Sequence, residues 1–328
     1  MGNFFIRVKL IFSFDYFFSQ SLLFEDGYPI LRHSASATIM TVRETIRRES
    51  ANLTASERKI SNAVLADYPF GALQTILELA ERTGVSAPSI TRFVTKIGFA
   101  GYQEFQRQLI AELRESRRSP LELKATEKPG SRRAFLADYA RRASDRIHEM
   151  SASVPQEQFD RILGLVADPA RAVFVLGGRV SDSIARFLSV HLKQIRPKVY
   201  HLPPNPEHWP DQLLAIRKQD VLVLFDFRRY QPDLQTLADI VARECRPSIV
   251  LITDKWMSPI ARHSDHVVAL PIEIETAWDS LVCALTLVEA LIVKVSESNW
   301  STTKKRLEAW DRLRLVPPGQ SSEEKDDR

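Results

Sequence analysis

One stretch of the chain gathers short hydroxyl side chains and cations without a single acid: Ser86, Ser89, Thr91, Arg92, Thr95 and Lys96. Within it, Ile90, Phe93, Val94 and Ile97 recur at i, i+3, i+4 and i+7, the spacing of one apolar helical stripe. At about 100° per residue, Ser89, Thr91, Arg92, Thr95 and Lys96 fall opposite that stripe. Arginine and lysine reach guanine O6/N7 or phosphate, and serine and threonine bond to either, so this face suits a DNA major groove. Ser86 is expected to cap the helix, with Pro88 in its first turn, and the N-terminal amides suit a phosphate. A plain helical bundle with a solvated cationic face has the same spacing.

A second concentration follows a β-branched run. Ala172–Leu176 reads as a buried strand, then Gly177-Gly178-Arg179-Val180-Ser181-Asp182-Ser183 as a turn, then a helix with Ile184, Phe187, Leu188, His191, Leu192 and Ile195 on one face. Strand, glycine turn and helix together offer backbone amides to an anion. The glycines do not fit G-x-G-x-x-G, and the second strand ends at Tyr200-His201-Leu202 without an acid for a ribose, which argues against a dinucleotide. His263 and His266 lie across an expected helix end and strand start with no third ligand, so they read as structural. His191 sits on an apolar stripe. No Ser/His/Asp or Cys/His arrangement stands out. No catalytic residue, metal or cofactor is therefore expected. Cys245 and Cys283, far apart and without zinc-type spacing, fit a reducing cytoplasm.

The positioning elements are legible nearby. Thr54-Ala55-Ser56-Glu57 and Thr75-Ile76-Leu77-Glu78 are capping boxes, in which hydroxyl and carboxylate satisfy two helix-start amides reciprocally. The helix after the second box carries Ile76, Leu79 and Ala80 on one side, and Gly84 takes the positive φ of a helix end. Two helices joined by a Gly-containing turn make a helix-turn-helix unit, with small Ala80 permitting close contact. Between Met40 and Arg118 twelve basic residues meet nine acidic ones, so placement matters more than total charge. Affinity for DNA is expected to be modest per monomer and aided by dimerisation.

With 328 residues, 44% hydrophobic and 26% charged, the chain has room for two domains, and its formal charge of +4 is weak support for a nucleic-acid partner. Residues 41–115 read as the helical DNA-binding domain and 116–133 as a polar linker. Residues 134–300 alternate strands with helices, implying a parallel sheet covered on both faces, and 301–328 read as a charged, disordered tail. Strands are expected at Ala172–Leu176, Lys198–Leu202, Val221–Phe225, Ser248–Thr253 and His266–Leu270. A loop at Asp226–Gln231 follows the third, and a long helix covers Thr276–Val295. Residues 1–40 read as a non-native or disordered leader, with Met40 the expected start because helical patterning begins just after it. The apolar run Phe4–Phe24 is interrupted by Asp15 and followed by Glu25 and Asp26, which disfavours a secretory signal or a membrane span.

Together these segments resemble the RpiR-type (MurR/RpiR) family of bacterial transcriptional regulators. The N-terminal motifs are Leu53-Thr54-Ala55-Ser56-Glu57-Arg58-Lys59-Ile60, Leu79-Ala80-Glu81-Arg82-Thr83-Gly84-Val85-Ser86, Ile90-Thr91-Arg92-Phe93 and Lys96-Ile97-Gly98-Phe99-Ala100-Gly101-Tyr102 ahead of Glu104-Phe105. The C-terminal ones are the glycine turn with Ser181, Ile252-Thr253-Asp254, and Ser258-Pro259-Ile260-Ala261 leading to Asp265. The resemblance runs over about residues 41–300 and implies an α + α/β protein. Its helix-turn-helix domain would precede a sugar isomerase (SIS) domain with a five-stranded parallel sheet between helices. It further implies a cytoplasmic, non-enzymatic regulator of metabolic genes, a homodimer or tetramer, with a double-stranded DNA operator and a phosphosugar or related anion as partners and no membrane.

One departure from the family pattern bears on the effector. Phosphosugar-binding members usually carry a Ser/Thr-rich loop with a glycine after the third strand; here it is Asp226-Phe227-Arg228-Arg229-Tyr230-Gln231. Arg179 also stands where a glycine is usual, although Ser181 and Ser183 remain. Arg179, Arg228 and Arg229 are expected to clamp a phosphate or carboxylate through bidentate bonds, or else to be solvated or paired with Asp182 and Asp226. The expected effector site is thus Gly177, Gly178, Arg179, Ser181, Ser183, Asp226, Arg228, Arg229 and Tyr230. Two other readings stay open: an SIS-type sugar-phosphate isomerase, and a dimeric DNA-binding protein without a ligand.

Overall fold

The computed structural model describes residues 40–126 and 134–315, all within one compact unit. The expected leader up to residue 39, the linker at 127–133 and the tail at 316–328 lie outside the described residues.

The helical part comprises α1 (Val42–Arg48), α2 (Ala55–Ala66), α3 (Ile76–Thr83), α4 (Ala87–Lys96) and α5 (Tyr102–Glu115). Reciprocal capping boxes start α2 at Thr54/Glu57 and α3 at Thr75/Glu78, as the sequence spacing implies, and a further one starts α1 at Thr41/Glu44. Gly84 ends α3 at φ 60°, the left-handed region where a side chain would be strained. Ile60, Val64, Leu79, Ile90, Phe93, Val94, Phe105 and Leu109 close one apolar core. A buried carboxylate fastens its far side: Glu112 on α5 accepts from the Val42 amide at 2.8 Å and from the Tyr68 hydroxyl. Burial pushes the Glu112 carboxyl above its ordinary range.

Part of the expected linker is ordered as α6 (Pro120–Ala125), because Ser119 and Glu122 form another capping box and Pro120 sits in the first turn. Helices α7 (Phe135–Ser153) and α8 (Gln156–Ala167) then lead into the sheet. Its strands are β1 (Val173–Gly177), β2 (Val199–His201), β3 (Val221–Phe225), β4 (Ser248–Asp254) and β5 (His266–Leu270), all parallel in the order β2-β1-β3-β4-β5. The connecting helices are α9 (Asp182–Ile195), α10 (Trp209–Leu213) and α11 (Pro232–Glu244), followed by α12 (Val282–Ser298) and α13 (Trp300–Leu315). Alternate strand residues serve opposite faces. Val173, Val175, Val223 and Val250 pack with α9 and α12, whereas Phe174, Leu176, Leu224 and Leu251 pack with α11. Among the described residues no helix is long and apolar enough to cross a membrane.

Two sequence expectations need correction. The helix expected from Thr276 begins only at Val282; Thr276 Oγ1 instead caps a local turn through the Trp278 amide at 3.2 Å. And α13 occupies residues 300–315, where a disordered tail was expected. Arg306 Nη2 donates to the Lys193 carbonyl of α9 at 2.8 Å and Thr303 is buried, so contacts far along the chain hold this charged helix.

Candidate effector site and nucleic-acid interface

The α3–turn–α4 unit buries Ile90, Phe93 and Val94, which leaves Ser86, Thr91, Arg92, Thr95 and Lys96 exposed and Ser89 half-exposed. Ser86 sits at the cap position of α4 but makes no capping bond, contrary to expectation; its hydroxyl pairs with Ser89 Oγ at 3.0 Å. Ser89 Oγ in turn accepts from Arg92 Nη2 at 2.7 Å. Thr91 and Thr95 donate back to carbonyls one turn earlier, at 3.2 and 3.0 Å. Lys96 is turned away to α2: its Nζ lies 2.8 Å from Glu57 Oε2 and 2.7 Å from the Asn52 carbonyl. Arg92 is thus the long cation of this face without an ion-pair partner among the described residues.

The second site lies where the chain reverses direction in the sheet. From β1 it steps to β2 on one side, then returns to β3 on the other, leaving a crevice beyond the carboxyl ends of β1 and β3. Gly177 and Phe225 pair there. A Cβ at Gly177 would stand 2.5 Å from the Asp182 amide nitrogen, so α9 starts as close to the strand as glycine allows.

The turn that follows spends some of its own polar groups. The Gly177 amide donates to Asp182 Oδ1 at 3.0 Å, and the Gly178 amide to the Phe225 carbonyl at 3.0 Å and Ser181 Oγ at 2.9 Å. The Ser181 hydroxyl donates to the Phe225 carbonyl at 2.7 Å. The amides of Asp182 and Ser183 donate to Gly178 and Val180 carbonyls. These bonds use the amides of Gly177, Gly178, Asp182 and Ser183, whereas those of Arg179, Val180 and Ser181, all lining residues of the cavity described below, take part in none of them. Ser183 is exposed and bonds the Val180 carbonyl.

The loop after β3 is shaped by two buried carboxylates. Asp226 Oδ2 accepts from Ser258 Oγ at 2.6 Å and its Oδ1 from the Gln231 amide at 3.2 Å. Asp254, at the end of β4, accepts from the Arg228 amide (2.6 Å), the Tyr230 hydroxyl (2.7 Å) and the Trp256 amide (3.0 Å). Burial pushes Asp226 up to about 7 and Asp254 up to about 6, the first raised further by the neighbouring Asp254 charge. Tyr230 is likewise raised by burial and by Asp254. Arg229 adopts φ 64°, and its amide reaches the Ser116 carbonyl just past α5 at 3.0 Å.

These loops enclose a cavity of about 440 Å3. Of the nine expected residues, Gly178, Arg179, Ser181, Asp226, Arg228 and Arg229 line it, whereas Gly177, Ser183 and Tyr230 do not. Asp182 and Asp226 do not pair with the arginines; Asp182 holds His201 at 2.8 Å. Arg228 is the unusual member. Its side chain is 2% exposed and lies over the Trp256 ring at 4.1 Å, yet none of its three guanidinium nitrogens has a hydrogen-bond partner among the described residues. Asp279 and Glu115 approach it only to 3.4 and 3.7 Å, inside ion-pair range without hydrogen-bond geometry.

Residues 40–116 match the family model for the rpiR-family helix-turn-helix domain, and residues 168–294 match that for the SIS domain. The chain thus joins an rpiR-type helix-turn-helix domain to an SIS domain. An uncharacterized HTH-type transcriptional regulator of Thermotoga maritima is 26% identical over 240 residues, 70% of this chain and 81% of that protein. The HTH-type transcriptional regulator HexR of Escherichia coli is 22% identical over 267 residues, 77% of this chain and 86% of its own. The sugar isomerase domain of an RpiR transcription factor from Sphaerobacter thermophilus superimposes with a TM-score of 0.51 at 20% identity, covering 55% of this chain and 99% of that one. At that identity the likeness is one of fold.

Several cavity residues carried no signal in the sequence. Arg118 reaches the cavity from just beyond α5, and Trp278 and Asp279 from the segment ahead of α12. Arg118 stood in what reads as a linker, and Trp278 in what reads as a helix.

Proposed function

We propose that the chain is a DNA-binding transcriptional regulator of metabolic genes. In this reading α4 enters the major groove, and the crevice beyond β1 and β3 takes an anionic effector, a phosphosugar or other anionic carbohydrate derivative. The supporting observation is the exposed, acid-free face of α4 in an rpiR-type helix-turn-helix: Arg92 and the Ser86/Ser89 pair project outward while Phe93 and Val94 anchor the helix. Arg228 supports an anion in the cavity, because a buried guanidinium without hydrogen bonds gains most from a carboxylate or phosphate. Both oxygens of Asp226, the raised carboxyl in that cavity, are occupied by Ser258 and Gln231, which favours a structural over an acid–base role and regulator over isomerase. A two-fold dimer would bind half-sites one helical turn apart, about 34 Å, or a multiple of it.

Genomic selection tests this. Protein purified from Met40 is expected to retain fragments of its own genome that share a palindrome and give a footprint. Failure to select any sequence across a range of salt would overturn the regulator reading.

A further inference from the structure

Glu115 ends α5, the last helix of the DNA-binding part, yet it lines a smaller cavity of about 200 Å3 that adjoins the effector cavity and shares Arg118, Arg228 and Asp279 with it. One oxygen, Oε1, serves two cations: it accepts from Arg118 Nη1 at 2.8 Å and lies 3.7 Å from Arg228 Nη1. Both arginines line the cavity. The arrangement is that of an anion held between two guanidinium groups, with the anion supplied by the chain itself. It is a loose fit, since Arg228 is left without hydrogen bonds. Next to it, the Arg229 amide fastens the Ser116 carbonyl to the same loop.

We propose that Glu115 is a tethered competitor of the effector: an anionic ligand binds by taking Arg118 and Arg228 from the Glu115 carboxylate. This rests on the reading of the cavity as the effector site, and it adds the route by which occupancy is felt by the DNA-binding part. A phosphate or carboxylate of the ligand supplies the well-directed bonds that Arg228 lacks. The displaced Glu115 goes to solvent, and the end of α5 loses one of its two ties to the loop after β3. Binding and the placement of α5 are then linked, and each alters the other by the same factor.

Inorganic phosphate, titrated calorimetrically into the full chain, is the probe. Wild type is expected to bind weakly, and Arg228→Gln to bind at least about tenfold more weakly, the scale of one charge-assisted bond. Glu115→Gln is expected to bind several-fold more tightly than wild type, and Glu115→Asp to fall between them. Glu275→Gln removes one negative charge from an exposed position beside the same region and is expected to change nothing. Unchanged or weaker binding in Glu115→Gln, with Arg228→Gln still impaired, would overturn the competitor and leave the effector site standing. An equal gain in Glu275→Gln would reduce the effect to general field strength and overturn it as well. Wild type that binds no phosphate, with Glu115→Gln also silent, would overturn both the competitor and the anion site.

Discussion

Asp254 holds Arg228 by its main chain rather than by its charge. The carboxylate accepts from the Arg228 amide at 2.6 Å, while the guanidinium of the same residue lies over Trp256, whose own amide is bound to Asp254 Oδ1. One buried carboxylate therefore sets both the loop that carries the cation and the aromatic ring beneath it. A loop without serine, threonine or glycine keeps its shape in this way, and the arginine head is left to the cavity.

Arg228→Met is expected to keep or raise the melting temperature of the ligand-free protein while abolishing its response to anions. A buried charge without hydrogen bonds is costly, and apolar replacements of similar volume are commonly neutral or stabilising. The stacking on Trp256 that is lost is worth about 0.5–2 kcal/mol, and Met packing replaces part of it. A clear fall in melting temperature would show that the guanidinium is well paired after all.

Arg92 and Lys96 are expected to behave differently although both belong to the exposed face of α4. Arg92→Ala should cost about 1–3 kcal/mol of operator affinity and blur the preference at one base position. Lys96 is committed to Glu57 and the Asn52 carbonyl, so Lys96→Ala should cost about 1 kcal/mol or less of stability and leave base preference intact. Binding curves on operator and scrambled DNA, paired with thermal melts, separate the two.

The buried carboxyls make stability depend on pH in a definite sense. In the folded chain Asp226 is raised from 3.8 to about 7 and Asp254 to about 6, so the folded state holds protons that the unfolded chain gives up. Their protonation therefore stabilises the fold most fully below pH about 4, and this contribution is lost as pH rises towards 6 to 7. Each such proton contributes a slope of at most about 1.4 kcal/mol per pH unit. Asp226→Asn mimics the protonated acid and can still accept from the Gln231 amide. Denaturant melts at several pH values are expected to show a flatter profile for it between pH 4 and 7. A profile identical to wild type would remove Asp226 from the account.

Gly177 and Gly178 are adjacent but not equivalent. A Cβ at Gly177 meets Asp182 backbone at 2.5 and 2.6 Å, which the start of α9 cannot relieve without moving, whereas at Gly178 its nearest neighbour is the flexible Gln231 side chain at 2.9 Å. Gly177→Ala should destabilise by about 1–3 kcal/mol or more, and Gly178→Ala by clearly less. Equal losses in urea melts would contradict the close approach of α9.

Much of the fold was legible because its signals are local. Capping boxes at Thr54 and Thr75, the left-handed Gly84, the apolar stripe of α4 and the β-branched strands each declare themselves within a few residues. What escaped depends on partners distant in sequence. Glu57 meets Lys96, Glu115 meets Arg228, and Arg306 meets the Lys193 carbonyl only once the chain is folded. The cavity arginines at 179, 228 and 229 were recognisable as cations beside strand ends, but nothing near Arg118 or Asp279 in the sequence tells of the space they share. Ser181 and Tyr230 were legible as polar residues and not as residues already spoken for by Phe225 and Asp254.

Met257, after β4, is buried in the core of the helical part, and Ala261, Val267 and Ala269 pack against that core too. This narrow apolar seam sets a threshold for any movement between the two parts of the chain. Exposing one such methionine costs about 1.5–3 kcal/mol, so a ligand must favour the separated arrangement by about ten- to a hundredfold before it shifts the balance. Metabolites that merely fit the cavity, without that preference, would occupy it in silence. The seam would make the protein respond to a ligand's discrimination between two shapes rather than to its presence alone.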